Sequence, residues 1–352
     1  MEPTVALLSF RLGVVDGVSV AAAHWVTALR NLGCRVRTIA GAGKADHVVP
    51  GLAFDTSHPA RSRDLAVALR GVDLVVVENV CSLPMNPAVT ETVVRALDGR
   101  RAVLRHHDLP WERERYAHLD GWPPDAPGWQ HVAISEYSAR ELMRRGIEAT
   151  AMYHGYARIP RRGDRTAGRA ALDVSPQQRL LLQPTRAIPR KNVAAGLELA
   201  HALDAVYWLT GPAEEGYGPQ LAELLSRARC PVRRGLPPGL RMVDAYAAAD
   251  AVVLPSVWEG FGMPLIESAL AGRPLAVSAY PVALEVAELG FNWFPVDDPG
   301  PLAAWFARPD PALLTNNRVL ALRHFGPEAL ADRLTRALAR AGLRARGPTA
   351  AR

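Results

Sequence analysis

The sequence predicts an α/β protein of two domains, each a parallel β-sheet covered by helices. The chain has 352 residues, more than one hydrophobic core usually organises, since single domains mostly hold roughly 100–200 residues. In both halves, short apolar runs alternate with amphipathic stretches of helix length, a pattern typical of parallel sheets. A charged segment without apolar periodicity separates the halves. Because ligands commonly bind between domains, we expect the functional site in a cleft between the two.

The first half, residues 1–156, predicts one domain. Its apolar runs predict strands and its amphipathic stretches predict helices, because buried parallel strands have nearly continuous apolar sequences. The strands are predicted at 5–9, 35–39, 73–77, 102–105, 131–135 and 150–153, and the helices at 20–32 and 137–145.

Residues 157–176 predict a linker, because Pro160, Gly163 and Gly168 interrupt a charged stretch. The alternation of strands and helices then restarts in a second domain, residues 177–325. Its strands are predicted at 180–182, 205–209, 252–254 and 275–277, and its helices at 192–203 and 265–271. A C-terminal helix at about 327–341 dominates the last segment, 326–352.

Composition excludes several classes of protein. With 49% hydrophobic and 22% charged residues, the chain is neither disordered nor collagen-like nor a coiled coil. No apolar run reaches the roughly 18 residues of a membrane-spanning helix, and the N-terminus lacks the basic start of a signal peptide. We therefore expect a cytoplasmic protein. Three widely spaced cysteines, Cys34, Cys81 and Cys230, support neither a disulfide framework nor a zinc site.

The net charge of +6 is carried mostly by arginine: of 41 basic residues, only Lys44 and Lys191 are lysines. A basic surplus suits phosphates, nucleic acid or an anionic membrane surface, but it also describes an arginine-rich solvated surface. Arginines are dense in or just after the first domain, so a weak peripheral contact with the inner face of the membrane is an alternative to a merely solvated surface. We expect no nucleic acid as a partner.

The most informative stretch is 254–267, LPSVWEGFGMPLIE. An apolar run is followed by a turn with Gly260 and Gly262, and Pro264 suits the first turn of a helix. Such a strand–turn–helix unit directs backbone N–H groups toward the oxygens of a ligand. Glu259 and Glu267 lie eight residues apart on either side of the turn. The alternative is that Glu259 caps the helix and Glu267 is a solvated helix residue. The glycine turn between the two glutamates favours a functional role.

A second candidate is the segment 184–192, PTRAIPRKN, between the first strand and the first helix of the second domain. In Rossmann-like domains this loop lies near a phosphate group. Arg186 and Lys191 could clamp a diphosphate, the arginine through its planar fork and the lysine as a point charge. The alternative is a solvated basic loop. Since one of only two lysines lies here, we favour the functional interpretation.

Weaker candidates lie at other strand ends. Asp16 and Gly17 follow the first predicted strand, and Gly17 would let a ligand approach the backbone closely. His106, His107 and Asp108 end another strand, where they could bind a hydroxyl, a phosphate or a metal, although a metal has no obvious third ligand. Two loops of the second domain could border a nucleotide or be plain loops; they contain Gly211, Arg234, Gly235 and Leu236.

Taken together, these motifs resemble the retaining glycosyltransferases of the family 4 type (glycosyltransferases group 1), which have the GT-B fold. The resemblance covers nearly the whole chain and implies two Rossmann-like domains facing a central cleft, with the C-terminal helix crossing back to the first domain. The matching motifs are the Asp16–Gly17 turn, the His107–Asp108 strand end, the Arg-x4-Lys pair Arg186 and Lys191, and the Glu-x7-Glu block from Glu259 to Glu267.

The resemblance also implies a role for each motif. A nucleoside-diphosphate sugar of the UDP or GDP type would lie against the second domain, without a metal or other cofactor, and an unknown acceptor would enter on the first-domain side. Arg186 and Lys191 would neutralise the leaving diphosphate, while Glu259 would hold sugar hydroxyls. His107 would contact the sugar. The four implied catalytic residues are therefore His107, Arg186, Lys191 and Glu259. The implied donor-binding residues are Gly17, Phe261, Gly262, Met263 and Glu267. The two loops described above add Gly211, Arg234, Gly235 and Leu236 to the expected donor-binding set.

The sequence departs from the family pattern at two positions, and two other functions are alternatives to this interpretation. Thr185 replaces a glycine before the basic pair, and Asp16 replaces the first glycine of the first-domain turn. The alternatives to hexosyl transfer are a non-catalytic nucleotide-sugar-binding protein and an isomerase or phosphorylase on the same fold. An oxidoreductase is disfavoured because no Gly-x-Gly-x-x-Gly follows the first strand. The sequence does not predict an oligomeric state.

Overall fold

The computed structural model describes residues 2–14 and 16–344, and the chain folds into two compact units. The first unit comprises Met1–Arg158 and Phe325–Arg352, and the second comprises Ile159–His324. Each unit is built around a sheet whose neighbouring strands pair in parallel. The α/β class predicted from the alternation of apolar and amphipathic stretches is confirmed.

The first unit contains the strands β1 (Thr4–Leu12), β2 (Arg35–Gly43), β3 (His47–Val48), β4 (Leu74–Glu78), β5 (Ala102–His106), β6 (Trp129–Ala133) and β7 (Ala149–Ala151). They form one sheet in the order β3-β2-β1-β4-β5-β6-β7. The helices between them are α1 (Gly17–Asn31), α2 (Ser62–Ala68), α3 (Pro87–Ala96) and α4 (Glu136–Met143).

Alternate residues of the central strands pack on opposite faces of this sheet, which explains their continuous apolar sequence. In β1, Val5 and Leu7 join the core that contains α1, whereas Ala6 and Leu8 join the core that contains α2 and α3. The last residue of β4 is Glu78, and β5 beside it ends at His106. Because neighbouring parallel strands end at the same edge of a sheet, polar side chains gather there.

The second unit contains β8 (Arg179–Gln183), β9 (Ala205–Leu209), β10 (Val232–Arg234), β11 (Ala251–Leu254), β12 (Leu275–Val277) and β13 (Phe294–Pro295). They form a sheet in the order β10-β9-β8-β11-β12-β13, so β8 and β11, which carry the two main motifs, are neighbours. The helices are α5 (Arg165–Ala170), α6 (Val193–Ala202), α7 (Gly218–Ser226), α8 (Met242–Ala248), α9 (Pro264–Leu270), α10 (Pro281–Ala287), α11 (Gly300–Ala307) and α12 (Pro311–Phe325).

A last helix, α13 (Pro327–Arg340), belongs to the first unit although it follows the second in the sequence. Leu330, Leu334 and Leu338 recur at helical spacing and pack in the same core as Trp25 of α1. Gly155 permits this close packing, since a Cβ atom there would lie 2.8 Å from Leu330 Cβ. The expected return of the C-terminal helix to the first domain is confirmed.

The predicted linker, residues 157–176, is wrong in its second part. Asp164 caps α5, and α5 packs against α8 within the second unit. Arg169 is 5% exposed and donates to the carbonyl of Ala248 at 3.0 Å and to Asp250 at 3.1 Å. Two charges of this segment, Arg165 and Arg169, therefore form ion pairs with Asp250 inside the second unit. Local sequence could not show this, because the carboxylate partner of Arg169 lies 81 residues away.

The helices are short: α1 and α12 have 15 residues each. Within residues 2–14 and 16–344, no helix combines the length and the apolar character that crossing a membrane requires.

Candidate functional site

The main candidate site lies at the carboxyl edge of the sheet in the second unit, where the loop after β8 meets the loop after β11. These strands are parallel neighbours, so both end at this edge. The first loop makes a 3-10 turn at Pro189–Lys191, and the second spans residues 255–263. The amide of Val257 donates to the carbonyl of Arg190 at 2.9 Å, which joins the two loops.

The two loops bring Lys191 and Glu259 into contact. Both residues are buried, with exposures of 8% and 5%. The Lys191 ammonium donates to Glu259 Oε1, and the Ser256 hydroxyl donates to the same oxygen at 2.6 Å. Arg190 Nη1 donates to the other oxygen, Oε2, at 2.7 Å. One buried carboxylate is therefore held by two cations and a hydroxyl, and the sequence motifs identified neither Arg190 nor Ser256.

Charge compensation decides the ionisation of this cluster. Burial by itself raises the pKa of Glu259, but Lys191 and Arg190 outweigh that effect, and the pKa lies below its ordinary value. Burial lowers the pKa of Lys191, and the attraction of Glu259 opposes the shift without cancelling it. The ammonium is thus available to an anionic ligand only in competition with Glu259.

The turn after Glu259 has a backbone that favours glycine. Gly262 has a φ of +91°, and a Cβ atom there would lie 2.3 Å from the Tyr280 hydroxyl oxygen. That hydroxyl donates to the Phe261 carbonyl at 3.1 Å, which fixes the turn. Met263 then leads directly into α9. The predicted strand–turn–helix unit is therefore present, with residues 261–263 at the start of the helix.

Glu267 lies on the first turn of α9, beside Tyr246 of α8. The Tyr246 hydroxyl donates to Glu267 Oε2 at 2.6 Å. Burial raises the pKa of Glu267, and this hydrogen bond only partly opposes the shift. The two glutamates of the block thus differ in chemistry, since Glu259 is an ion-paired carboxylate and Glu267 is a partly buried acid bound to a phenol.

Arg186 and Gly211 lie on neighbouring loops of the second unit. The Arg186 side chain is 32% exposed and donates to Glu214 at 2.5 Å, so its carboxylate partner differs from that of Lys191. A Cβ atom on Gly211 would lie 2.4 Å from the Thr185 carbonyl oxygen, and the Gly211 amide donates to that oxygen at 3.1 Å. Close backbone packing therefore explains the glycine at position 211.

Arg234, Gly235 and Leu236 form the end of β10 and the turn after it. Gly235 has a φ of +72°, and its amide donates to the Leu209 carbonyl at 2.8 Å. The Gly235 carbonyl accepts from the Trp208 indole at 2.8 Å. The backbone groups of Gly235 thus serve the fold, whereas Arg234 is exposed to solvent.

The first unit has a separate buried polar cluster at the ends of β4 and β5. His107 Nε2 and Glu78 Oε2 lie 2.6 Å apart. Glu78 also accepts from Arg105 at 3.0 Å, and Arg105 contacts His154 Nδ1 at 2.8 Å. The Arg105 guanidinium packs over Trp25, 4.2 Å from the ring centre. Sequence reasoning missed Glu78 and Arg105, although a charged residue at the end of an apolar strand was a usable signal.

His106 and His107 have different surroundings. His106 Nδ1 lies 2.8 Å from Ser82 Oγ, and its Nε2 lies 3.0 Å from His131 Nδ1. Burial, with His131 and His107 nearby, keeps the pKa of His106 well below its ordinary value. In the described part of the chain, the hydrogen bonds of the His107 ring involve Nε2 alone. This difference favours His107 as the histidine that reaches a ligand, and that role stays a prediction.

Gly17 is the first residue of α1. Asp16 caps this helix: its carboxylate accepts from the Ser19 amide at 2.7 Å and from Arg11 at 2.8 Å. A Cβ atom on Gly17 would meet nothing within 4 Å, so the space beside the helix start is open. Asp16, which replaces a glycine of the family pattern, therefore has a capping role.

Residues 2–14 and 16–344 contain no group of three His, Cys, Asp or Glu side chains that could hold a metal ion. Positive charge at the candidate site comes from the side chains of Arg186, Arg190 and Lys191.

Comparison with known proteins finds a family match within the second unit. Residues 164–305 match the family model described as glycosyl transferases group 1. The mannosylglucosylglycerate synthase of Thermotoga maritima is 25% identical over 362 residues, covering 79% of this chain and 81% of that protein. The D-inositol 3-phosphate glycosyltransferase of Mycolicibacterium gilvum is 34% identical over 132 residues, covering 35% of this chain and 30% of that protein.

A solved structure has the same fold along nearly the whole chain. The crystal structure of Anabaena Alr3699/HepE in complex with UDP and glucose matches with a TM-score of 0.73 at 17% identity, covering 95% of this chain and 99% of that one. The segment that matches the family model contains both Lys191 and Glu259. Residues 164–305 therefore match the glycosyl transferases group 1 family, and the chain as a whole has the GT-B fold.

Proposed function

We propose that the protein transfers a hexose from a nucleoside-diphosphate sugar to an acceptor hydroxyl, with retention of the anomeric configuration. The observation that carries this proposal is the buried contact between Lys191 and Glu259, within the segment that matches the family. An ammonium group binds phosphate, and a carboxylate accepts hydrogen bonds from hydroxyl groups. A nucleotide sugar presents its phosphates and its sugar hydroxyls at adjacent positions. The pair therefore suits the point where the sugar joins its diphosphate.

The leaving diphosphate is proposed to bind Lys191 and Arg186. Departure of the nucleoside diphosphate builds negative charge on its β-phosphate, and preorganised cations stabilise such charge strongly where water is excluded. Lys191 is 8% exposed, so its charge acts in surroundings that screen it little. Because side-chain cations can take this role, we propose that transfer does not depend on a metal ion.

Glu259 is proposed to hold hydroxyls of the transferred sugar together with the amides of residues 261–263, and Glu267 is proposed to hold the ribose. The lowered pKa of Glu259 supports its role, since an ionised carboxylate is a strong acceptor. Because Arg190 binds the Glu259 carboxylate, we propose no covalent bond between Glu259 and the sugar. The acceptor attacks from the face that the diphosphate leaves, and the donor's own phosphate takes the acceptor proton.

The acceptor is proposed to carry an anionic group beside its hydroxyls. The names of two relatives support this, because one contains a glycerate and the other a phosphate. The chain also has 41 basic against 35 acidic residues, a balance that attracts anionic substrates.

Thermal unfolding with a panel of nucleotide sugars tests the donor assignment. The panel comprises glucose and mannose linked to UDP or GDP, with the free sugars and nucleosides as controls. One donor class should raise the melting temperature, because a ligand specific for the folded state stabilises it by about 2.7 kcal/mol at a hundredfold excess over its dissociation constant. The absence of any shift across the panel would contradict the proposed function.

A further inference from the structure

We propose that Arg190 is a positioning residue: it compensates the buried carboxylate of Glu259 so that Lys191 can leave it and bind the donor diphosphate. This inference rests on the proposed function, since it assumes a diphosphate at Lys191. Arg190 belongs neither to the Arg-x4-Lys pair nor to the Glu-x7-Glu block, and it directly precedes Lys191.

Arg190 contacts three consecutive residues of the loop that carries Glu259. Its carbonyl accepts from the Val257 amide at 2.9 Å. Its Nη1 donates to the Trp258 carbonyl at 2.9 Å and to Glu259 Oε2 at 2.7 Å. The arginine side chain is 19% exposed. These contacts hold the guanidinium beside the carboxylate through bonds in which Lys191 takes no part.

The backbone around Arg190 is fixed from both sides. Pro189 opens the 3-10 turn, and Asn192 closes it with a φ of +48°. The Asn192 side chain then caps α6 by accepting from the Ala195 amide. Arg190 and Lys191 are thus presented together from a constrained turn, and small rotations of the flexible Lys191 side chain can redirect its ammonium without moving Arg190.

In the proposed donor complex, Lys191 has two competing anionic partners. In the structure, its ammonium donates to Glu259 Oε1. A diphosphate would draw the ammonium away and leave Glu259, which is 5% exposed, with one cation fewer. A buried charge that loses its only partner is strongly unfavourable. With no other cation beside Glu259, Lys191 would therefore stay on the carboxylate and bind phosphate poorly.

The two cations bind different oxygens, so their roles are separable. Lys191 and Ser256 contact Oε1, whereas Arg190 contacts Oε2. When Lys191 moves, the carboxylate keeps Arg190 on one oxygen and the Ser256 hydroxyl on the other. Glu259 stays ionised, and the position that the ammonium leaves on Oε1 becomes able to accept a sugar hydroxyl. Diphosphate binding and sugar binding are linked through this exchange.

Calorimetric binding of nucleotides to the full chain tests the inference. The probes are UDP and GDP, each compared with its monophosphate, because the proposed exchange acts on the outer phosphate. Arg190→Met should reduce the ratio of diphosphate to monophosphate affinity by roughly tenfold, within the range for coupled neighbours. Arg190→Lys, which keeps a cation, should retain most of the ratio. The control is Arg229→Met, which removes a 62% exposed arginine paired with Glu198 and should change nothing.

A double variant distinguishes the proposed exchange of Lys191 between Glu259 and the diphosphate from a general loosening of the loop that carries Glu259. Arg190→Met combined with Glu259→Gln removes the carboxylate that retains Lys191, so the affinity ratio should return toward the wild-type value. If Arg190→Met leaves the affinity ratio unchanged, the inference is wrong although the proposed function stands. The same holds if the double variant has a ratio as low as that of Arg190→Met while both variants unfold near the wild-type temperature. If wild-type protein binds neither diphosphate, the proposed function and the inference both fail.

Discussion

Replacing Glu78 with alanine should lower the free energy of unfolding by about 3–5 kcal/mol, because Arg105 would remain as an uncompensated buried charge. Both residues are 0% exposed, and Arg105 Nη1 lies 3.0 Å from Glu78 Oε1. Burial by itself raises the pKa of Glu78, but Arg105 and His107 outweigh it and hold that pKa below its ordinary value. Glu78 is therefore ionised at neutral pH, and urea unfolding measures what its charge contributes.

Two further variants define what this experiment shows. Glu91→Ala is the matched control in the same unit: Glu91 and Arg95 form a pair whose side chains are 61% and 66% exposed, and its loss should cost less than about 1 kcal/mol. Glu78→Gln keeps the shape and removes the charge, so we expect a loss smaller than that of Glu78→Ala. A free energy of unfolding for Glu78→Ala within about 0.5 kcal/mol of the wild-type value would rule out the described role.

Replacing Lys191 with alanine should reduce kcat by about 10²–10³-fold, the usual effect of removing one preorganised group that stabilises developing charge. The fold should survive, because Arg190 and Ser256 still bind the Glu259 carboxylate. The measurement is the rate of nucleoside diphosphate release at saturating donor and acceptor. Circular dichroism and thermal unfolding of the same preparation verify that the variant is folded.

The sequence supplies a matched control for this experiment, since Lys44 is the other of its two lysines. Lys44 is exposed on the loop after β2, and Lys44→Ala should keep the wild-type rate. A kcat for Lys191→Ala within about threefold of the wild-type value would remove Lys191 from the site.

Much of the fold could be predicted because its signals are local. Buried parallel strands such as β4 and β11 are short apolar runs that end in polar residues, and such runs are visible in sequence. Helices α2 and α3 are among those that the sequence did not predict. α3 is rich in β-branched residues, which favour strands, and it depends on Asn86 as its cap and on packing against the sheet.

The site was only partly predictable, because its contacts join distant parts of the chain. Arg186, Lys191, Glu259 and Glu267 follow from motif spacing, and residues 164–305, which contain them, match the family that these motifs indicate. Arg190 appeared to be one more charge in a basic loop, since its partner Glu259 lies 69 residues away. Glu78 lies 29 residues from His107, and the pairing of β4 with β5 brings them together. The spacing of a motif in the sequence indicates which residue types belong to a site. The order of the strands in the sheet determines which of these residues come into contact.

The most direct test of the account is the anomeric configuration of the product, followed by proton NMR with the donor that the thermal panel selects. With an α-linked nucleotide sugar and an anionic polyol acceptor, wild-type protein should form an α-linked product and release one nucleoside diphosphate per transfer. Lys191→Ala should form this product at the strongly reduced rate given above. A β-linked product would contradict the proposed retention. A donor that binds but is never consumed with any acceptor would contradict the assignment of transfer to the site of Lys191 and Glu259.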